Sequence, residues 1–210
     1  MAQLQVNPTR MELKKLQARY ATARRGHKLL KDKRDELMKR FLEVVREDKE
    51  LRGRVEAALA QFQGSFGVAA AASGPLMLKE ALILPKKEGS LEVSFQNVMS
   101  VTVPRFSLDV RGSGADSYNY GMAFTSGELD GSLAALGGIL EDLVRLAELE
   151  KSAQMLAEEI ERTRRRVNAL EYIMIPRYLE SMKTIRMKLD ENERGNTTRL
   201  MKVKDMMLQR

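Results

Sequence analysis

Leu13-Lys-Lys-Leu16-Gln-Ala-Arg-Tyr20-Ala-Thr-Ala23 begins a spacing of three then four that continues without a slip to Phe62. One set of positions reads Leu13, Tyr20, His27, Arg34, Phe41, Asp48, Val55, Phe62; the other reads Leu16, Ala23, Leu30, Leu37, Val44, Leu51, Ala58. The second set is apolar throughout, and the first is interrupted at His27, Arg34 and Asp48. A heptad repeat of this kind keeps one stripe of a helix facing a partner helix along its length. Thr9, with Glu12 three residues on, forms a capping-box start, and Pro8 restricts the entry. From Thr9 to Phe62 such a helix spans roughly 80 Å at about 1.5 Å per residue.

Composition agrees with long helices and a thin core. Of the 210 residues only 5% are aromatic, 31% are charged, and there is no Trp. The absence of Cys excludes disulfides, thiol chemistry and cysteine metal sites. No apolar run reaches the roughly 18 residues of a membrane span. Met1-Ala-Gln-Leu-Gln5 does not read as a signal peptide, so the chain is expected to be cytoplasmic, with docking beneath a membrane complex still open.

Past Phe62 the pattern changes. Gly64 and Gly67 weaken the helix, Ala69–Ala72 can prolong it, and Ser73-Gly74-Pro75 ends it. Pro75 to Leu84 reads as one short helix. Alternation at Leu91/Val93/Phe95, at Met99/Val101/Val103 and at Phe106/Leu108/Val110 predicts two or three short strands, with breaks at Gln96-Asn97 and Pro104-Arg105. Gly112-Ser113-Gly114 and Asp116-Ser117 read as loop. A second long helix is expected from Ser126 or Leu129, with Glu128 and Asp130 suited to its first turn. Its seam reads Ile139, Leu143, Leu146, Leu149, Ala153, Leu156, Ile160, Val167, Leu170, Met174, then shifts phase to Tyr178, Met182, Ile185, Leu189. Pro176 lies at the shift and is expected to kink the helix, and Gly195-Asn196 is a second weak point. The fold class is therefore mainly α: a long antiparallel two-helix coiled coil from residues 1–63 and 128–210, with a small β-containing insert, 64–127, at the far end.

If Phe62 lies beside Ile139, Arg10 falls near Glu191 and Gly26 beside Pro176, where a small residue would accommodate a bent partner. Residues 195–210 then overhang the N-terminus. The formal charge of +7 is uneven: residues 1–40 carry twelve cations against four acids, 194–210 five against one, and 139–161 two against seven. The antiparallel register gathers both basic segments at one tip, and any single charge there also suits an ordinary solvated helix face.

Catalytic and cofactor signatures are weak. There is no phosphate loop and no dinucleotide-binding glycine pattern, and Gly112-x-Gly114 reads as a turn. His27, the one histidine, falls on the seam, where a polar residue sets coiled-coil register. Glu158-Glu159 lies on a heavily charged helix with no pocket to tune a carboxyl. Arg34 and Asp48 suit exposed or register-setting groups, or places where another subunit packs. Arg164, Arg165 and Arg166 cover three helix directions, so at least one points outward. Met201, Met206 and Met207 are adaptable apolar groups near the tip.

Several motifs are specific. Asn7-Pro-Thr-Arg-Met-Glu-Leu13 and Arg25-Gly-His-Lys-Leu-Leu-Lys-Asp-Lys-Arg-Asp-Glu-Leu-Met38 open the chain. Ala157-Glu-Glu-Ile-Glu-Arg-Thr-Arg-Arg-Arg-Val-Asn-Ala-Leu-Glu-Tyr172, then Ile175-Pro176, Leu189-Asp-Glu-Asn-Glu-Arg194 and Thr198-Arg-Leu-Met-Lys-Val-Lys204 close it. Together they resemble the D subunit of V-type rotary ATPases, most of all its bacterial sodium- or proton-pumping branch. The resemblance covers both helices in order.

The resemblance implies a central rotor axle that carries torque between ATP hydrolysis or synthesis in a ring of A and B subunits and ion translocation by a membrane rotor ring. The implied partners are the A and B subunits, an F subunit on the shaft, and a funnel-like subunit above the membrane ring. Neither nucleic acid nor direct membrane insertion is implied. The chain itself would be non-catalytic and would hold no cofactor or metal, the nucleotide sites belonging to A and B. Arg10, Lys14, Lys15, Arg19, Arg194, Arg199, Lys202 and Lys204 are the expected ring contacts at the tip. Arg164, Arg165, Arg166 and Pro176 are the expected shaft contacts or bend. Two other readings fit a coiled coil. A prefoldin-like chaperone or scaffold also sets strands between two helices, but binds through apolar tips. A basic leucine zipper separates its basic stretch from its heptads, whereas here they coincide.

Overall fold

The computed structural model describes residues 7–83, 87–112, 120 and 127–208. Helix α1 is Arg10–Ser73, α2 is Pro75–Ala81, strands β1 and β2 are Glu88–Val98 and Val101–Arg111, α3 is Gly127–Asn168, a π-helical turn covers Ala169–Met174, and α4 is Ile175–Leu208. The long N-terminal and C-terminal helices pack together, with a two-stranded antiparallel sheet between them in the chain. The loop expected around 113–117 and the start at Ser126 lie outside the described residues.

Helix α1 begins as its sequence dictates. The Thr9 hydroxyl accepts the Glu12 backbone N–H at 3.2 Å, while the Glu12 carboxylate takes the Lys15 ammonium at 2.9 Å. It runs on through Gly64 and Gly67 to Ser73, where the Gly74 N–H closes the last turn on Ala70 O at 3.1 Å. Gly74 has φ 76, a left-handed conformation that a side chain would strain, and Pro75 next to it opens α2. Every position of the three-four repeat from Leu13 to Phe62 is buried or half-buried, the polar breaks His27, Arg34 and Asp48 included.

Two compact units result, residues Met1–Glu36 with Ile160–Arg210, and residues Leu37–Glu159. In the first, Leu16, Met182 and Ile185 form the core, with Leu13, Tyr20, Tyr178 and Leu189 packed on it. In the second, Leu51, Val55, Ile139 and Leu149 do so, joined by Val44, Ala58, Leu59, Phe62, Leu143 and Leu146. Each buried aliphatic side chain contributes about 1.5–3 kcal/mol. Polar pairs report an antiparallel pairing in each unit. Arg10 pairs with Glu193 and His27 with Glu171 in the first; Arg52 pairs with Glu150 in the second. Arg10 thus lies two residues from the expected Glu191.

The seam of the C-terminal half differs from expectation at three places. Thr163, passed over between Ile160 and Val167, is buried at 1% exposure. It stands at the three-four spacing, which an apolar-only reading skips. Met174 is exposed at 36%, and Ile175 takes the half-buried place instead. The π turn is the cause: the Ile175 N–H bonds to Leu170 O, five residues back, so one extra residue enters the turn and the inward stripe steps from Leu170 to Ile175. The phase shift is therefore accommodated just before Pro176. A proline ring there would collide with the carbonyl four residues earlier in a regular helix, and a widened turn relieves that collision. Gly195-Asn196 does not interrupt α4, which is continuous to Leu208.

The insert is one hairpin, and the expected breaks at Gln96-Asn97 and Pro104-Arg105 lie inside its strands. Val98 pairs with Val101, Phe95 with Pro104 and Glu88 with Arg111. A ribbon of two strands has only edges, so Pro104 can sit where its missing N–H owes no ladder bond. Met99 and Ser100 make the reversal at φ 53 and 71, the left-handed pair that a type I′ turn demands. The Asn97 side chain supports it by accepting the Ser100 N–H at 2.8 Å. Val101, Val103 and Pro104 are buried, and the Phe106 N–H donates to the Glu148 carboxylate of α3 at 2.9 Å, tying ribbon to helix.

Two outcomes are expected. Leu37→Ala, at a fully buried seam position, should lower the stability of the chain by about 3 kcal/mol, whereas Leu42→Ala, exposed next to the seam, should stay within about 0.5 kcal/mol; urea melts of the full chain decide it. Replacing Met99-Ser100 by Asn-Gly relieves two left-handed side-chain positions and should slow amide exchange across residues 88–111 severalfold; unchanged exchange would show that the turn stores no strain.

Candidate partner-binding surfaces

The basic tip expected from the sequence has its parts brought together in the first compact unit. Arg10 at the start of α1 meets Glu193 of α4, so everything after residue 193 extends past the first residue of α1. Lys14, Lys15, Arg19, Arg194, Arg199, Lys202 and Lys204 are all exposed. Lys15 is held by Glu12 at 2.9 Å, and the pair is worth no more than about 1 kcal/mol at an open surface. The cations thus remain near solvent with charge available to a partner.

The end of α4 is unusual in another respect. Residues 190–208 are exposed on every side. Leu200 is 71% exposed and Met207 75%, with Met201, Val203, Met206 and Leu208 also uncovered. Leu200, Val203 and Met207 share one helical face, at spacings of three and four. Helices of such length are marginal in water by themselves, and this one carries an apolar stripe together with four cations. Thr197 and Thr198 hydroxyls each donate to the carbonyl four residues back, at 2.9 Å, beside Gly195.

Arg164, Arg165 and Arg166 are all exposed, more than the single outward residue that geometry requires; Arg165 pairs with Glu161 one turn earlier. Pro176 is the second residue of α4, immediately after the π turn. The polar breaks of the α1 seam each find company. The His27 ring, 21% exposed, sets Nε2 3.3 Å from Glu171 Oε2, a cross-helix contact of the kind that sets register. Arg34 turns to its neighbour Asp35 at 2.7 Å. Asp48 lies 3.9 Å from Arg52, and its Oδ1 is enclosed without a hydrogen-bond partner. Gly26 does not answer to packing: a Cβ built there meets nothing within 4 Å, so the room expected for a bent partner is not used by this chain.

An apolar group around the π turn escapes the heptad pattern. Leu29 is 70% exposed, Tyr172 68% and Ile173 60%. Leu29 is visible in the sequence as an apolar residue off the heptad stripe. The outward set of Tyr172 and Ile173 depends on the extra residue in the turn, which no periodicity announces. Among the described residues no helix is long and apolar enough to cross a membrane.

Long paired helices with a charged, uncovered α4 end define a protein of the two-helix coiled-coil class. Residues 12–205 match the model of the ATP synthase D-subunit family. The chain is 58% identical over 210 residues to the V-type ATP synthase D subunit of Acetivibrio thermocellus and 56% to that of Clostridioides difficile, covering all of this chain and 95% of each relative. It is 51% identical over 207 residues to the protein of the same name in Fusobacterium nucleatum, covering 99% of this chain and 98% of that one. The chain belongs to the ATP synthase D-subunit family, as its motifs led one to expect. That match selects among the three readings of a heptad-rich chain with two long helices.

The uncovered end of α4 generates a prediction. In the isolated chain, amides of residues 195–208 should exchange orders of magnitude faster than those around Leu16 and Ile185, because only local helix opening is needed. Equal protection in the two segments, measured by exchange and mass spectrometry, would mean that the end is supported in the free protein.

Proposed function

We propose that this chain is the central rotor axle of a V-type ATPase. In this reading it transmits torque between ATP hydrolysis or synthesis in a ring of A and B subunits and ion translocation by a membrane rotor ring. The chain is a non-catalytic, cytoplasmic part of the soluble head and stalk, peripheral to the membrane. The ring supplies the nucleotide sites. An F subunit sits on the shaft, and a funnel-like subunit above the membrane ring takes the other end.

The observation that carries this reading is the match to V-type ATP synthase D subunits along both long helices, joined to a basic end of α4 with no cover. A torque-bearing element must resist twisting, and a seam that buries a residue every three or four positions ties two helices together repeatedly. Arg10, Lys14, Lys15, Arg19, Arg194, Arg199, Lys202 and Lys204 act as the ring contacts, drawn to an acidic lining by long-range, salt-sensitive attraction. Arg164, Arg165 and Arg166 contact subunits around the shaft. Pro176, with the π turn before it, provides the bend that makes an axle eccentric, so that three otherwise equal catalytic sites are pressed unequally. Division of the chain into 1–63, 64–127 and 128–210 follows from the same reading: two shaft segments and an insert.

Reconstitution with A, B and F subunits tests it. Neutralising Arg194, Arg199, Lys202 and Lys204 together should weaken assembly with the A/B ring severalfold at about 0.1 M salt, with the difference shrinking as salt is raised. Assembly and rotation-coupled ATPase activity that are unchanged across the salt series would remove the tip from the interface.

A further inference from the structure

The extra residue of the π turn has few places where it can stand. Upstream of the turn the inward positions are Ile160, Thr163, Val167 and Leu170; downstream they are Ile175, Tyr178, Met182, Ile185 and Leu189. Both runs step by three and four, and the five-residue step from Leu170 to Ile175 interrupts them. Continued unbroken, the upstream run would next reach Met174 and Arg177. Traced back, the downstream run would reach Glu171. The position of the extra residue decides where the helix passes from one run to the other. Moving it one step toward the N-terminus seats Glu171 in place of Leu170, and burying a carboxylate is costly. Moving it one step the other way seats Met174 in place of Ile175 and keeps Tyr178. A further step seats Arg177 in place of Tyr178. Only the exchange of Met174 for Ile175 trades one apolar side chain for another.

Three observations favour that second placement. Ile175 is only half-buried, unlike Met182 and Ile185, and Met174 beside it is 36% exposed, so neither is deeply held. The facing residue is small. Tyr20 and Tyr178 both pack on the cluster of Leu16, Met182 and Ile185. Ala23 lies one seam step after Tyr20, and Ile175 one seam step before Tyr178. In antiparallel helices these two steps run the same way in space, so Ala23 comes level with Ile175. A small partner leaves the place open to a flexible Met as well as to a branched Ile. The third observation is the backbone. The Ile175 N–H bonds to Leu170 O, and Pro176 has no N–H to give Tyr172 O, four residues back. Where an α-helix widens into a π turn, one N–H is left over, because the residue before it has already taken its carbonyl. With the turn moved one step, Ile175 returns to Glu171 O and that surplus place falls on Pro176, which has no N–H to lose.

We propose that the π turn is a two-position step. The extra residue stands before Ile175, as here, or between Met174 and Tyr178. Met174 and Ile175 thereby exchange one place in the seam while Leu170 and Tyr178 stay seated. The exchange turns the short segment between them by roughly 100°, the rotation of one helical residue. Packed seams hold discrete arrangements and resist intermediate ones. In the rotor reading, on which this use alone rests, the step takes up twist along the first compact unit without opening its seam.

Melting temperatures of the isolated full chain test the step through a double-substitution cycle. Met174→Gln and Ile175→Gln should each lower the melting temperature by about 2 °C or less, because the apolar side chain that remains fills the shared place. Together they leave that place unfilled and should lower it by about 6 °C or more. The same cycle at Tyr178 and Leu179 should be additive, since Leu179 is 47% exposed and no placement of the extra residue brings it inward. Additive shifts at 174 and 175, whatever their size, overturn the step, and so does equal coupling at the control pair. That failure leaves the rotor reading standing. Failure of the unaltered chain to assemble with A, B and F subunits removes the rotor reading and the use assigned to the step, and leaves the step itself.

Discussion

One interaction organises each compact unit: the burial of a narrow stripe of α1 against the C-terminal helices. Leu16 and Leu37 are almost wholly enclosed along it, as are Leu51 and Val55 further on, while residues a single step to either side reach solvent. A two-helix seam has little depth, so its stability depends on many small contributions repeated along the length. Losing register by one residue would expose the whole set. The polar breaks sit within that constraint. His27 against Glu171 marks the level of the two helices, and the carboxylate of Asp48, partly enclosed, lies beside Arg52 one turn on.

The π turn is the place where two demands of the same helix conflict. A stripe must continue from Val167 and Leu170 to Tyr178 and Met182, yet the number of intervening residues does not suit an unbroken α-helix. Pro176 adds a missing donor and a steric obstacle. Admitting one extra residue meets both demands at once, at the cost of a wider turn with poorer hydrogen bonding. Its by-product is the uncovered pair Tyr172 and Ile173. A local repair of the seam thus generates surface that the seam does not need.

Charge plays the complementary part. Exposed ion pairs such as Arg10–Glu193 and Arg52–Glu150 add little to stability, but they report the antiparallel register independently of the apolar core. The remaining cations of the α4 end carry no internal role, and neither do its apolar side chains from Leu200 onward. In the rotor reading proposed above, this segment is the one that meets the surrounding ring. The β ribbon is held differently, by the Phe106 N–H on Glu148 and a few buried residues of β2, while Leu91, Val93 and Phe95 of β1 stay at least half exposed.

Much of this was legible in the sequence, because heptad spacing is a property of one helix and needs no knowledge of its partner. The inward residues of α1, the Thr9 start, the Ser73-Gly74-Pro75 stop, the mainly α class and the antiparallel register to within three residues all follow from local geometry and pattern. Family membership was legible too, through motifs on both helices. The insert was harder: Pro104 and Gln96-Asn97 look like strand breaks locally, and only the pairing of β1 with β2 makes one continuous ribbon reversing at Met99-Ser100. Thr163 was hidden because its burial comes from its place in the seam and not from its chemistry. The step from Leu170 to Ile175, and with it the outward set of Ile173, was decided by tertiary structure alone. A helix chooses where to admit an extra residue only when a partner fixes both ends of the stripe.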